Sequence, residues 1–237
     1  MDEKDYNQLI KSSSHYRAPD ISVVRFLKSF LWPRVEQLFL DKELSILEVG
    51  HGISSLFADA KLASLAHQRV KQVQSIDINL KAVEFMQSQQ LPLGERQVFK
   101  QLDVTKEAWP HCFDLILDHS CFHCLTEKTQ QQRYLSSVRR GLVPGGVYFL
   151  QSMVMPKKLS LEEGHELDKN TGVLKKDGLA WRRLVEAFEI EQMIIESGLE
   201  IEFFKVLENE KAVLSKERPI PMSSDPDILR VIARAPN

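Results

Sequence analysis

Two glycines follow an acidic residue where an apolar run ends, in the segment 46–55 of this chain. Glu48 precedes Gly50 and Gly52, and small hydroxyl residues suited to opening a helix come next. A buried strand that turns sharply into a helix brings backbone N–H groups and the helix N-terminus to the strand's carboxyl edge, where α/β proteins bind nucleotides and nucleosides. Glycine tolerates the dihedrals of such a turn and the close approach of a ligand. The segment therefore predicts a site for a nucleoside-containing cofactor.

The residues around these glycines indicate which cofactor the turn binds. A dinucleotide loop has the pattern G-x-G-x-x-G, but Ser55 stands at the third glycine position here, and an acid before the first glycine is not part of that pattern. The segment resembles instead motif I, E/D-x-G-x-G, of the class I S-adenosylmethionine-dependent methyltransferases. In that family the acid supports the loop and approaches the methionine end of the cofactor, and the glycines pass under it. A nicotinamide-dependent oxidoreductase that uses the same loop is the alternative.

Three further acids each end a predicted strand, in chain order and at the spacing of βα units. Asp77 ends the second strand, where a carboxylate can accept hydrogen bonds from both ribose hydroxyls. The resemblance implies that Asp103 and Val104 border the adenine, and that Asp118 lies near the methionine moiety or the acceptor. The alternative is that these acids are solvated turn residues. The residues predicted to bind the cofactor, S-adenosyl-L-methionine, are Glu48, Gly50, Gly52, Ser54, Asp77, Ile78, Asp103, Val104 and Asp118.

Histidine and cysteine are concentrated on both sides of the fourth predicted strand, residues 113–118, at His111, Cys112, His119, Cys121, His123 and Cys124. A zinc site usually takes two separated ligand pairs, and no second pair follows elsewhere, so the sequence predicts no metal. A thioredoxin-type redox motif at Cys121 and Cys124 is a second interpretation. The third is a resemblance to the Asp-x-Gly-Cys-Phe-His signature of bacterial small-molecule methyltransferases of the thiopurine and tellurite-resistance type. His119 and Ser120 here replace the basic residue and the glycine of that signature.

The two histidines after this strand are the predicted catalytic residues. His119 or His123 could accept a proton from a nitrogen, oxygen or sulfur nucleophile, because histidine titrates near neutral pH. The alternative is that Phe122 and Cys124 pack inward and the histidines only hold backbone. We expect methyl transfer to a small-molecule acceptor. Transfer to a protein side chain such as lysine, and a cofactor-binding protein without catalysis, are the other possibilities.

Composition excludes several classes of protein. The chain has 237 residues, and 31 Lys and Arg against 33 Asp and Glu give a net charge of −2, which provides no attraction to nucleic acid or to an anionic membrane. No apolar run approaches the roughly 18 residues that span a bilayer. The acidic, polar first residues are not typical of a secretory signal, and three cysteines do not suggest a disulfide framework. We therefore expect a cytoplasmic protein with neither nucleic-acid nor membrane partners.

Apolar runs alternate with helical patterns from residue 44 onward, which indicates βαβ units and a mostly parallel sheet. The resemblance predicts an α/β fold with a doubly wound, seven-stranded sheet of order 3-2-1-4-5-7-6, its last strand antiparallel, and helices on both faces. We predict an N-terminal helical cap over residues 1–43 and the methyltransferase domain over residues 44–237, with an irregular insertion at about 155–180.

The helices that position these strands can also be predicted. The segment 21–40 has apolar residues at helical spacing, and Pro33 should kink or divide it. This helix either covers the cofactor and part of the substrate pocket, as in many class I methyltransferases, or caps one face of the sheet. We expect a first crossover helix over residues 56–66, with Asn79 and Thr126 as N-caps of later helices.

Overall fold

The computed structural model describes residues 18–106, 109, 113–213 and 220–237. His111 and Cys112, part of the histidine and cysteine group in the sequence, lie outside these described residues. The strands of the described part of the chain are β1 (Leu44–Val49), β2 (Val70–Asp77), β3 (Gln97–Gln101), β4 (Phe113–Asp118), β5 (Leu142–Val154), β6 (His165–Asp168), β7 (Val173–Lys176), β8 (Leu179–Arg183), β9 (Glu200–Lys211) and β10 (Asp227–Arg234).

Seven of these strands form one sheet in the order β3-β2-β1-β4-β5-β10-β9. The first five are parallel to one another, and β10 runs antiparallel to both β5 and β9. The predicted fold class and strand order are therefore confirmed, with β9 and β10 as the sixth and seventh strands. Because β1 and β4 are adjacent and parallel, their carboxyl ends open on the same edge of the sheet, where the strand order reverses.

The helices follow the predicted alternation, with differences at their ends. They are α1 (Ile21–Phe26), α2 (Trp32–Leu38), α3 (Ala60–His67), α4 (Leu80–Gln87), α5 (Lys128–Gly141) and α6 (Ala187–Glu196). Asn79 caps α4 as predicted. The predicted N-cap of α5 was wrong. Glu127 rather than Thr126 is the N-cap, and it forms a capping box with Gln130. The predicted first crossover helix is divided into a 3₁₀ turn, Leu56–Ala58, and α3.

A π-helical turn, Leu27–Leu31, joins α1 to α2. Pro33 lies just after it, in the first turn of α2, where its missing N–H and its ring disrupt the regular hydrogen-bond pattern. This agrees with the predicted division of the helix. Apolar residues of this helical segment pack with Leu115, Phe149 and Ile232 of the sheet. The segment therefore covers one face of the sheet.

The segment after β5 that was predicted to be irregular instead contains short strands. Strands β6, β7 and β8 form a separate antiparallel sheet, which we call the small sheet. The sequence did not reveal it because its strands are short and half-exposed, without a continuous apolar run. Trp181 and Leu174 pack in one cluster with Met153 and Met155 at the end of β5. The small sheet therefore lies beside the carboxyl end of β5.

No helix within the described ranges is both long enough and apolar enough to cross a membrane.

Candidate active site

A buried carboxylate, Glu48, holds the glycine turn that follows β1. Its Oε1 accepts a hydrogen bond from the backbone N–H of Leu56 at 2.6 Å. Its Oε2 accepts from the hydroxyls of Ser55 at 2.8 Å and Ser75 at 2.6 Å, and from Gln97 Nε2 at 3.3 Å. These donors belong to the turn, to β2 and to β3, so one side chain ties three parts of the sheet edge together.

Sequence reasoning did not identify the partners of Glu48. Gln97 Nε2 also donates to Ser55 Oγ at 2.7 Å and to Ser75 Oγ at 2.9 Å, so the three polar side chains form one buried network around the carboxylate. Within the described residues, Gln97 Oε1 is the one oxygen of these three side chains that is buried without a partner. The sequence signal for this network is weak, because a polar residue on a short strand usually indicates an exposed position.

The glycines of the turn are required by its geometry. Gly50 and Gly52 have φ angles of 68° and 56°, which side chains other than glycine rarely adopt. A Cβ added at Gly50 would lie 2.7 Å from Cβ of Cys121. The turn after β1 therefore packs directly against the turn after β4, and any side chain at Gly50 would separate them.

Asp77 fixes the other side of the same turn. Its Oδ2 accepts from the backbone N–H of Gly52 at 2.9 Å, and its Oδ1 accepts from the N–H of Asn79 at 2.8 Å. The side chain is only half-buried, and a carboxylate has about four acceptor positions. Two acceptor positions beyond these bonds are therefore compatible with a ligand diol. Ile78, the next residue, is 64% exposed and offers apolar surface beside it.

Asp103 lies past the end of β3 in a tight local network. It accepts hydrogen bonds from the backbone N–H and the hydroxyl of Thr105, at 3.0 Å and 2.6 Å, and forms an ion pair with Lys106. Partial burial acts to raise the pKa of Asp103, but the hydrogen bonds from Thr105 and Lys106 outweigh it and lower the pKa. Val104 is buried beside it. The carboxylate stays ionised. It can accept a hydrogen bond from a ligand amine that takes the place of the exposed Lys106 ammonium.

Asp118 is buried at the end of β4 and organises the turn there. Its Oδ1 accepts from the backbone N–H groups of Ser120 at 3.1 Å and Cys121 at 2.7 Å. Its Oδ2 accepts from the Tyr134 hydroxyl at 2.7 Å. Burial raises the pKa of Asp118, although these three hydrogen bonds act in the opposite direction. Its contacts within the described chain are those of a residue that shapes backbone.

Ser120 occupies the position that is glycine in the resembled signature. Its φ angle is 154°, in a region that residues with a Cβ rarely adopt. The two hydrogen bonds that the backbone N–H groups of this turn donate to Asp118 keep it in that conformation. The departure from glycine therefore leaves the turn intact but strained.

His119 lies between the two turns with one nitrogen unsatisfied. Its Nε2 is 3.7 Å from Glu48 Oε1 and has no hydrogen-bond partner within the described ranges, although that atom is buried. Burial lowers the pKa of His119, while the carboxylates of Glu48 and Asp118 act to raise it. The imidazole is therefore neutral at neutral pH and lies at the edge of the sheet where β1 and β4 end.

His123 has a different environment. Its Nδ1 accepts from the backbone N–H of Met153 at 3.2 Å and lies 3.4 Å from the hydroxyl of Ser152. The side chain is buried, and burial lowers the pKa of His123 well below its ordinary value. These contacts match the alternative in which a histidine holds backbone, here joining the turn after β4 to β5.

The two cysteines of this turn do not have the environment of a redox motif. Burial raises the pKa of the Cys121 thiol well above its ordinary value and also raises the pKa of Cys124. Reactive thiols in redox motifs have a lowered pKa instead. In the described portion of the chain, no group of three or more His, Cys, Asp and Glu side chains is arranged to hold a metal ion.

The chain matches the model of a methyltransferase domain family over residues 40–198, which is more than half of its length. The chain therefore belongs to this family. The sheet order and the glycine turn are those of the class I S-adenosylmethionine-dependent methyltransferases, and the chain is an enzyme of this class. The predicted family and cofactor class are confirmed, and the match favours methyl transfer over the oxidoreductase interpretation.

Solved structures with the same fold cover most of the chain. A methyltransferase from Methanosarcina mazei is 18% identical, with a TM-score of 0.58, and the match covers 85% of this chain and 97% of that one. The N-methyltransferase NodS from Bradyrhizobium japonicum WM9, in complex with S-adenosyl-L-homocysteine, is 13% identical with a TM-score of 0.54, covering 99% and 98%. The 1,6-didemethyltoxoflavin-N1-methyltransferase from Burkholderia thailandensis is 14% identical with a TM-score of 0.52, covering 100% and 92%. No curated protein sequence is significantly similar to the chain.

Replacing Glu48 by Gln should destabilise the protein. The substitution places an NH₂ group among hydrogen-bond donors, so some of these buried donors lose their acceptor. We therefore expect a loss of about 2 kcal/mol or more in the free energy of unfolding. The measurement is urea unfolding followed by circular dichroism. Glu84→Gln, on the exposed side of α4, is the matched control and should change this free energy by less than about 0.5 kcal/mol. Equal midpoints for the two variants would contradict the role assigned to Glu48.

Replacing Ser120 by Gly should stabilise the protein. Glycine adopts the observed φ without strain, and we expect a gain of roughly 0.5–1 kcal/mol after the entropy that glycine loses on folding. Ser120→Ala keeps the Cβ and should show no gain, which makes it the control. Thermal unfolding of the three proteins measures the difference. The same melting temperature for the Gly and Ala variants would show that this backbone is not strained.

Proposed function

We propose that this enzyme transfers the methyl group of S-adenosylmethionine to a small-molecule acceptor. The observation that carries the proposal is the position of the small sheet, which packs beside the carboxyl end of β5 and contacts the turn Phe122–Cys124. Such a cover narrows access to the sheet edge where β1, β4 and β5 end. A narrow approach favours a small acceptor over the surface of a folded protein.

A structural neighbour also supports a small-molecule acceptor. The Burkholderia thailandensis enzyme is a 1,6-didemethyltoxoflavin-N1-methyltransferase and has that small molecule and S-adenosylhomocysteine bound. The near-neutral net charge of the chain provides no attraction to the phosphates of nucleic acid, so nucleic acid is an unfavourable methyl acceptor. Transfer to a protein side chain is the alternative, and the cytoplasmic location stays a prediction from the sequence.

We assign the predicted cofactor residues two kinds of role. Gly50, Gly52 and Ser54 bring backbone close to the cofactor, and Asp77 accepts from the ribose hydroxyls with its remaining acceptor positions. Ile78 and Val104 flank the adenine, and Asp103 accepts from its amine. The side chains of Glu48 and Asp118 act differently: they hold the two turns, since their oxygens already accept from buried donors.

When bound, S-adenosylmethionine supplies a methyl group activated by its sulfonium. The protein's task is to align the acceptor and to exclude water, since alignment alone supplies much of the acceleration. We propose His119 as the proton acceptor, because the ring is neutral and Nε2, beside the Glu48 carboxylate, can carry the ring proton while the other ring nitrogen accepts one from the substrate. Glu48 then stabilises the imidazolium that forms. We propose that His123 positions the turn through Met153 rather than taking a proton.

The proposal is tested by incubating the enzyme with S-adenosylmethionine labelled in its methyl group, together with a cell extract separated into small-molecule and protein fractions. We expect label to enter the small-molecule fraction. Label in the protein fraction alone would contradict a small acceptor and favour a protein side chain. Label in neither, with the cofactor bound, would favour a binding protein without catalysis.

Replacing Asp77 by Asn should weaken cofactor binding without unfolding the protein. The amide keeps one carbonyl oxygen for the turn but loses the charge that strengthens hydrogen bonds from the ribose, so we expect the Kd for S-adenosylhomocysteine to rise about tenfold or more. Isothermal titration calorimetry measures it. Asp41→Asn, at the exposed turn before β1, should leave the Kd unchanged. An unchanged Kd for Asp77→Asn would overturn the assignment.

The rate should depend on pH in the direction set by His119. A proton acceptor must be neutral, and the pKa of His119 is lowered, so kcat/KM should stay level as pH falls to about 6.5 and decline only below it. His119→Asn should lower kcat about 100-fold and abolish the decline of kcat/KM at low pH, the acid limb of the pH profile. His67→Asn, at the exposed end of α3, is the control. An acid limb that persists in His119→Asn would exclude His119 as the base.

A further inference from the structure

Arg182, on β8 of the small sheet, lies close to the turn that follows β4. Strand β8 contacts the segment Phe122–Cys124. Burial lowers the pKa of His123, and the positive charge of Arg182 acts in the same direction. A cation of the small sheet is therefore placed at the edge where the acceptor must approach.

The hydrogen bonds of Arg182 leave most of its guanidinium unused. Nη1 donates to the carbonyl of Trp181 at 2.9 Å, and the guanidinium lies over the Trp181 ring, 4.7 Å from its centroid. Nε is buried and has no acceptor, and no carboxylate in the described ranges pairs with Arg182. A buried donor without an acceptor is unfavourable, so this group is suited to an acceptor supplied by a ligand.

Two fully buried arginines in the described part of the chain are neutralised, whereas the half-buried Arg34 and Arg69, like Arg182, each have one buried nitrogen without an acceptor. Arg183, the next residue, donates to Glu189 at 2.7 Å and to Gln131 at 2.6 Å. Arg230 donates to Glu210 at 2.7 Å. Arg182 differs from both because its charge has no such partner, although it is also partly buried.

We infer that Arg182 binds an anionic group, a carboxylate or phosphate, of the methyl acceptor. The planar guanidinium matches such groups bidentately. Lys176 lies 5.8 Å from the centroid of the Trp181 ring and adds a second positive charge. This inference rests on the proposed function and narrows it to acceptors that carry a negative charge.

The test uses two probes of equal shape, benzoate and benzamide, titrated by NMR into the enzyme loaded with S-adenosylhomocysteine. We expect benzoate to bind about tenfold more tightly than benzamide. Arg182→Gln should remove this preference, and Arg182→Lys should keep part of it. Arg133→Gln, which removes an exposed arginine of α5, should leave the preference unchanged. The Kd for S-adenosylhomocysteine should be the same in all four proteins.

Equal binding of benzoate and benzamide to the unmodified enzyme would overturn the inference, and so would no detectable binding of benzoate. A preference that persists in Arg182→Gln would also overturn it. If Arg182→Gln does not fold, as judged by circular dichroism, Arg182→Met keeps the apolar stem and serves the same comparison. A benzoate preference that depends on Arg182, with methyl label entering only proteins, would support this inference while contradicting the small-molecule proposal.

Discussion

The site depends on one buried carboxylate. Glu48 accepts hydrogen bonds from the turn after β1, from β2 and from β3, and lies 3.7 Å from His119 of the turn after β4. A buried charge is unfavourable unless hydrogen bonds stabilise it, so this arrangement holds only while the surrounding donors stay in place. The same bonds that stabilise the charge therefore hold the turn after β1 in one conformation, which we propose is the one that binds the cofactor.

The acids at the sheet edge divide into two groups by burial. Glu48 and Asp118 are inaccessible, and their oxygens hold backbone turns. Asp77 and Asp103 are partly exposed, so their carboxylates can also meet a ligand. The direct contact between Gly50 and Cys121 makes the two turns one unit, because neither can move without the other. If these turns bind the cofactor and the acceptor as proposed, the two binding events are coupled through this packing.

The sheet order and the positions of the motif acids could be predicted from the sequence, because apolar runs, turn glycines and strand-ending acids follow one another locally. The network of Ser55, Ser75 and Gln97 could not, since its members meet only after β2 and β3 pair with β1. The small sheet was missed because short, half-exposed strands lack a periodic signal. Whether an acid such as Asp118 is buried depends on Tyr134, which is distant in the chain.

The central claim is that the turn held by Glu48 binds S-adenosylmethionine. The most direct measurement is isothermal titration of the purified protein with S-adenosylhomocysteine, with NAD⁺ in a matched titration. The account predicts micromolar binding of S-adenosylhomocysteine and none of NAD⁺. Binding of NAD⁺ alone, or of neither compound, would contradict it.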